Sequence, residues 1–301
     1  MDKIIKIGIV GAGKFGGYHA RKCADHPETE LIGIHDLNAE SRDRLAQQFA
    51  VRAFENQHDL LEDCDAVVIA APASQHGRIA RAGLAYGCHL LIEKPIATAL
   101  DEALDIVQIS QAKNLIVQVG HQERFVARAI GLDKIAERPR LIRAHRLNPF
   151  SVRGTDTSVT MDLMTHDIDL ANWLMGGVPT HVQGRTITRK SDHPDHVWAH
   201  LSYPDGDVFL EASRLALQGD RRFEIHYPSG TIEINFNAKT LTHDTPFQMN
   251  ADFGQHPDAK DSLAAGTEEF IRAIKTNSIP LISAQDGLNA AEIALKVDGH
   301  L

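Results

Sequence analysis

The sequence predicts an α/β N-terminal domain built on a doubly wound parallel sheet (residues 1–121). An α+β C-terminal domain with a largely antiparallel, open sheet follows (residues 122–301). Three observations carry this. A strand-like run "KIIKIGIV" enters the glycine turn "GAGKFG" and leaves it as a helix-patterned segment. Continuous apolar runs within "DAVVIA", "HLLIEKP" and "NLIVQV" then alternate with helix-patterned stretches, as parallel strands buried on both faces require. After about residue 122 the pattern changes to alternating apolar and polar residues, in "RLIRAHRL", "HVWAHLSY", "DVFLEASRLAL" and "TIEINFN", with turn signals "YPDGD" and "YPSG" between them.

Length and composition agree with two domains. The chain has 301 residues, 43% of them hydrophobic, against roughly 100–150 for one typical domain. A formal net charge of −9 opposes the basic face that nucleic acid requires, so no nucleic-acid partner is expected. No apolar run approaches the ~20 residues of a membrane span and no leader pattern precedes the first strand, so a cytoplasmic location is expected. Cys23, Cys64 and Cys88 are widely spaced and read as reduced core thiols, and the 17 histidines show no metal-ligand spacing. No metal is expected.

In chain order, Gly11, Gly13 and Gly16 form G-x-G-x-x-G between a strand and a helix, and the next strand, "ELIGIHD", ends in Asp36. Gly11 permits the sharp turn, Gly13 lets backbone approach a pyrophosphate, and Gly16 lets helix and strand pack closely. This is the dinucleotide-binding Rossmann pattern. Asp36 would accept from the ribose hydroxyls and repel a 2′-phosphate, so NAD is expected rather than NADP, with Arg42 and Arg44 the reservation. Ligands of such sheets sit beyond the carboxyl ends of the strands. The expected cofactor contacts are therefore Gly11, Gly13, Lys14, Phe15, Gly16 and Asp36 at the turn, and Ala71, Pro72, His76, Glu93 and Lys94 at later strand ends. His121 and Arg124, after the last parallel strand, are candidate substrate contacts. Arg143, Arg146 and Arg153 suit either a nucleotide-sugar pyrophosphate or a charged sheet surface.

With "GAGKFG", "EKP" and "MDLMTHDIDL" in this order, the chain resembles the glucose–fructose oxidoreductase and inositol dehydrogenase (Gfo/Idh/MocA) family over essentially its full length. The resemblance implies an NAD-dependent sugar dehydrogenase that assembles as a homodimer or homotetramer. It places the catalytic lysine at Lys94 and the Asp and His four apart at Asp162 and His166, and it implies a cis bond before Pro95. Within the family, "VGHQERF" and "RGTDTSVTMDLMTHDIDL" resemble the branch containing UDP-N-acetylglucosamine 3-dehydrogenases. That implies oxidation of the 3-hydroxyl of a UDP-N-acetylhexosamine; of the three arginines that suit a pyrophosphate, Arg153 is the candidate substrate contact.

The segment "TSVTMDLMTHDIDLANWLM" has helical periodicity, and on a regular helix Asp162, His166 and Asp169 share one face. Asp167 points elsewhere and is expected to cap or pair. Oxidising a secondary alcohol needs a base for the hydroxyl proton, and histidine, with a pKa near ~6.5, suits the task. The expected roles are His166 as base, Asp162 as hydrogen-bond partner to substrate or imidazole, and Lys94 as the cation facing a developing alkoxide. The polar stretch "TPFQMNADFGQHPDAKD" reads as a mobile loop that covers the site or merely connects elements. C-terminal helices read as packing elements, one of them able to return to the first domain. Two other functions stay open: oxidation of a free polyol of the inositol type, and a non-catalytic NAD-sensing protein.

Overall fold

The computed structural model describes residues 4–152 and 154–301. The chain up to His121, together with Leu263–Leu288, forms one compact unit; Gln122–Ser262 with Asn289–Leu301 forms another.

The first unit runs β1 (Ile5–Val10), α1 (Lys14–Asp25), β2 (Thr29–His35), α2 (Ala39–Phe49), β3 (Arg52–Phe54), α3 (Gln57–Asp63), β4 (Ala66–Ile69), α4 (His76–Ala85), β5 (His89–Ile92), α5 (Leu100–Ala112) and β6 (Val117–Val119). Its six strands pair in the order β3-β2-β1-β4-β5-β6, all parallel. The reversal of winding lies between β1 and β4, beside the glycine turn, which is where this architecture opens a ligand crevice. β4 and the end of β5 are buried on both faces, which explains their unbroken apolar runs. Asn38 and Asn56 cap α2 and α3 by accepting from Ser41 and His58 N–H groups, whereas α1 begins at Gly13 with no side-chain cap. The buried Phe270 and Ile271 belong to the same apolar core as Ile7, Ile9 and Ile34.

The second unit contains α6 (Glu123–Ile130), β7 (Leu141–Leu147), a π-helical turn (Thr160–Met164), α7 (Thr165–Met175) and the strands β8 (His181–Ile187), β9 (His196–Tyr203), β10 (Gly206–Ser213), β11 (Asp220–Tyr227), β12 (Gly230–Asn235) and β13 (Thr240–His243). Three helices follow in the chain: α8 (Pro257–Lys260), α9 (Ser262–Thr276) and α10 (Ala284–Val297). The seven strands are ordered β13-β12-β11-β7-β10-β9-β8, antiparallel except for β7 beside β10. Alternation along β9 and β10 sends Val197, Ala199, Leu201, Val208 and Leu210 into the core with Met164, Ile168 and Ile293, and sends Trp198 and Phe209 outward, 40% and 44% exposed.

Two expectations change. The segment bearing Asp162 and His166 does not start as a regular helix: residues 160–164 make a π turn, stabilised by Thr160 Oγ1 donating to Asp298 and by Thr165 Oγ1 donating to the Met161 carbonyl. A π turn fits one more residue than an α turn and shifts the faces that follow it. Residues 245–261 are also not a loose loop. Phe253 is buried, Asn250 N–H donates to the Ile130 carbonyl, and Arg128 on α6 pairs with Asp258 at 2.8 Å, so buried apolar and ionic contacts tie this segment to its own unit. All three cysteines are free thiols, and burial pushes Cys23 up to about 12, as a reduced core thiol requires.

Candidate active site

At the glycine turn, Gly11 adopts φ +108°, and a Cβ there would stand 2.5 Å from the Ala70 carbonyl carbon. On Gly16 it would stand 1.8 Å from the Gly11 carbonyl oxygen, so α1 lies against the turn at a distance only a missing side chain permits. Gly13 faces open space, with nothing within 4 Å of an added Cβ. Open approach at Gly13 and uncapped N–H groups at the start of α1 fit a dinucleotide pyrophosphate. Lys14 sits beside this opening with its ammonium 5.7 Å from the Tyr18 ring, and Phe15 packs edge-on to the same ring.

Asp36 follows β2. Its Oδ2 accepts from the Ala12 N–H at 2.6 Å and its Oδ1 from the Asn38 N–H at 2.8 Å, which fixes the carboxylate while each oxygen keeps a further lone pair for a hydroxyl. Arg42 donates to Asp43 at 2.7 Å.

Ala71 and Pro72 form the β4 exit and Glu93 and Lys94 the β5 exit. His76, buried at the start of α4, connects the two: Nδ1 contacts the Pro95 carbonyl at 2.7 Å and Nε2 the Ala71 carbonyl at 2.9 Å. Burial lowers the His76 pKa, against the opposing pull of those carbonyls and of Glu93. With both nitrogens facing backbone, His76 braces the two loops instead of offering a nitrogen to a ligand, which differs from the expectation. Glu93 is likewise turned inward, its carboxylate 2.8 Å from His19 Nε2 on α1. Lys94 is half-buried, and the Lys94–Pro95 bond is cis, as the resemblance implied.

In the second unit, α7 meets a buried ionic cluster. His166 Nδ1 pairs with Glu123 Oε2. The other oxygen of Glu123 accepts from Arg221 at 2.7 Å and from Arg146 at 3.4 Å, and Arg146 grips Asp167 bidentately at 2.8 and 3.0 Å. Burial would raise the Glu123 carboxyl, but His166, Arg221 and Arg146 outweigh it and hold the group well below the usual carboxylate range. Burial by itself would lower Arg146; Asp167 and Glu123 hold it above its ordinary value. Glu123 is therefore ionised and Arg146 charged wherever the protein is folded at neutral pH.

Asp162 lies within the π turn, where Gly154, at φ +74°, leaves room for its carboxylate: a Cβ on Gly154 would come within 2.6 Å of Oδ2. Ser158 and Thr160 both donate to Asp298 at 2.5 Å, and Arg214 donates to the Gly154 and Thr157 carbonyls, so the approach to Asp162 is braced. His166 and Asp169 reach different partners, Glu123 and Arg124. Asp169 forms a bidentate pair with Arg124 at 2.6 and 2.8 Å, both side chains almost wholly buried. Arg124, expected on the substrate, is thus engaged inside the unit. Arg146 is likewise committed to Asp167 rather than to a free phosphate site or sheet surface. His121 is buried, Arg143 is exposed on β7, and Arg153 lies outside the described residues.

Sequence reasoning passed over Glu123 and Arg221. The signal for Glu123 was an acid directly before an arginine just beyond a buried strand; Arg221 carried none, since it is one of two adjacent arginines opening an ordinary antiparallel strand. Among the described residues no group of three or more His, Cys, Asp or Glu side chains could hold a metal ion. Among the described residues no helix is long and apolar enough to cross a membrane.

Residues 5–121 match the family model described as "Oxidoreductase family, NAD-binding Rossmann fold", and residues 137–233 match the GFO/IDH/MocA C-terminal domain. The chain is 32% identical to the UDP-N-acetylglucosamine 3-dehydrogenase of Acidithiobacillus ferrooxidans, over 97% of this chain and 96% of that protein. It is 23% identical to the myo-inositol 2-dehydrogenase of Thermotoga maritima, over 94% and 92% of the two chains. A solved structure of the Acidithiobacillus ferrooxidans enzyme superposes with a TM-score of 0.90, covering 100% of this chain and 98% of that one at 31% identity. By its two matched domains and its full-length likeness to these dehydrogenases, the chain belongs to the GFO/IDH/MocA family of NAD-binding oxidoreductases.

Proposed function

We propose that this oxidoreductase uses NAD, rather than NADP, to oxidise the 3-hydroxyl of a UDP-N-acetylhexosamine. The observation that carries the reading is the full-length likeness to UDP-N-acetylglucosamine 3-dehydrogenase. Asp36, fixed by two backbone N–H groups, supports NAD, because a carboxylate there meets ribose hydroxyls favourably and a 2′-phosphate unfavourably.

When bound, NAD supplies the hydride acceptor. In our reading His166 takes the hydroxyl proton, Asp162 orients the substrate or the imidazole, and the Lys94 ammonium stabilises negative charge on the alcohol oxygen. Gly11, Gly13, Gly16 and the first N–H groups of α1 hold the pyrophosphate. His121 and Arg153 are proposed substrate contacts; Arg124 is left out because Asp169 engages it. The open face of the second sheet, bearing Trp198 and Phe209, is the proposed surface for assembly into a homodimer or homotetramer.

The test mixes the protein, NAD and either UDP-N-acetylglucosamine, free N-acetylglucosamine or myo-inositol, and follows absorbance of the reduced nicotinamide. Reduction with the UDP sugar alone is expected. Reduction with myo-inositol alone would move the assignment to a free polyol, the reading favoured by the likeness to myo-inositol 2-dehydrogenase. The Lys94→Met variant should lose turnover while binding NAD like the parent. NAD binding with no turnover on any substrate would favour a sensing protein.

A further inference from the structure

Glu123 lies within "VGHQERF", but the resemblance gives it no role, and its buried carboxylate engages three side chains from three other elements. It sits at the first position of α6, where the chain leaves Gln122, and its side chain reaches His166 on α7. Two arginines from two strands, Arg146 on β7 and Arg221 on β11, hold its other oxygen, and Asp167 on α7 completes the cluster through Arg146. The side chains of Glu123, Arg146 and His166 are all largely buried, at 10%, 9% and 12% exposure.

The protonation pattern follows from the donors present. An ionised carboxylate only accepts hydrogen bonds, so the nitrogen against it must carry a proton. His166 Nδ1 is that nitrogen. The neutral ring then has its lone pair on Nε2, the nitrogen that takes a proton from an alcohol. The two carboxylates and two guanidiniums balance one another in charge, which is compatible with a neutral imidazole.

We propose that Glu123 is the positioning residue of the reaction: through Nδ1 it fixes the tautomer, the orientation and the basicity of His166, and Arg146 and Arg221 fix Glu123. The proposal rests on the reading of His166 as the base. In the step concerned, His166 Nε2 would take the alcohol O–H proton, and NAD, when bound, would supply the acceptor for the carbon's hydride, so that the alcohol becomes a ketone. Glu123 keeps its charge throughout and stabilises the imidazolium that forms.

The experiment is nitrogen NMR of the histidine rings over a pH titration of the whole protein, with His166 assigned by its loss in His166→Asn, together with kcat against pH. In the parent protein the neutral His166 ring should carry its proton on Nδ1. In Glu123→Gln the His166 titration should move down by at least about one pH unit, since a partner of opposite charge is removed. The rising limb of kcat should move with it, and the plateau should fall on the order of 10²-fold; Glu123→Asp should restore part of both. An unchanged His166 titration and tautomer in Glu123→Gln would overturn the proposal even if activity fell, because a merely structural residue would lower the rate without moving either. Should Glu123→Gln not fold, Glu123→Gln/Arg221→Met removes one charge of each sign and answers the same question. Full turnover in His166→Asn would instead overturn the reading of His166 as the base.

Discussion

Alanine at Gly16 and at Gly13 should separate folding from cofactor binding within one turn. At Gly16 the new Cβ would lie 1.8 Å from the Gly11 carbonyl oxygen, so helix and turn must part by roughly 1.5 Å to restore ordinary contact. Overpacking costs about 1–3 kcal/mol, at the upper end when the obstacle is backbone. Alanine's helical preference over glycine returns about 1 kcal/mol. The net expectation is a loss of about 2 kcal/mol. The same displacement moves the first N–H groups of α1, and hydrogen bonds to a charged acceptor contribute about 1.5–3 kcal/mol each. NAD affinity should therefore fall at least about tenfold, at about 1.4 kcal/mol per decade. At Gly13 nothing lies within 4 Å of the Cβ, so folding should lose no more than about 0.5–1 kcal/mol from the poorer N-cap. The methyl would stand where a pyrophosphate approaches, and NAD affinity should again fall at least about tenfold. Urea unfolding of the apo protein and calorimetric titration with NAD measure the two quantities. Parental NAD affinity in Gly13→Ala, or parental stability and affinity in Gly16→Ala, would refute the reasoning.

The Arg124–Asp169 pair supplies a second test: Arg124→Met leaves a buried carboxylate alone and should cost about 3–5 kcal/mol in urea unfolding, whereas Arg124→Met/Asp169→Leu should recover most of it. Equal losses in single and double variants would show that the pair contributes packing rather than charge. Asp195 is a third. Burial pushes its carboxyl up, but the Lys190 N–H, the Ser191 hydroxyl and the Arg189 and Ser191 N–H groups outweigh it and hold the pKa at about 2. The folded value lies below the unfolded one, near ~3.9, so the contribution of about 2 kcal/mol is present above pH ~4 and is lost as pH falls toward ~2. Asp195→Asn should therefore be less stable than the parent at neutral pH, with the gap roughly halved near pH ~3. A gap independent of pH would refute the assignment.

What could be read from the sequence and what could not divides along sequence distance. The glycine turn, the acid after β2, the buried parallel strands and the α7 segment were all legible, because each is dictated by chain within a few residues: φ at Gly11, the burial that makes β4 continuously apolar, the period that makes Asp169 and His166 helical. Pairings were not. Nothing local says that β7 runs parallel beside β10 in an otherwise antiparallel sheet. His76 reads as a residue at a strand end facing the ligand crevice, and only the fold shows two carbonyls on its ring. Asp162, His166 and Asp169 read as one helical face, with Asp167 pointing elsewhere. The π turn and the packing of α7 direct Asp167, Asp169 and His166 to Arg146, Arg124 and Glu123, which lie 21, 45 and 43 residues away in the chain. The reason is physical. A charged side chain leaving water must find a partner of opposite charge, and which partner it finds is set by which elements pack together rather than by its own neighbours in sequence.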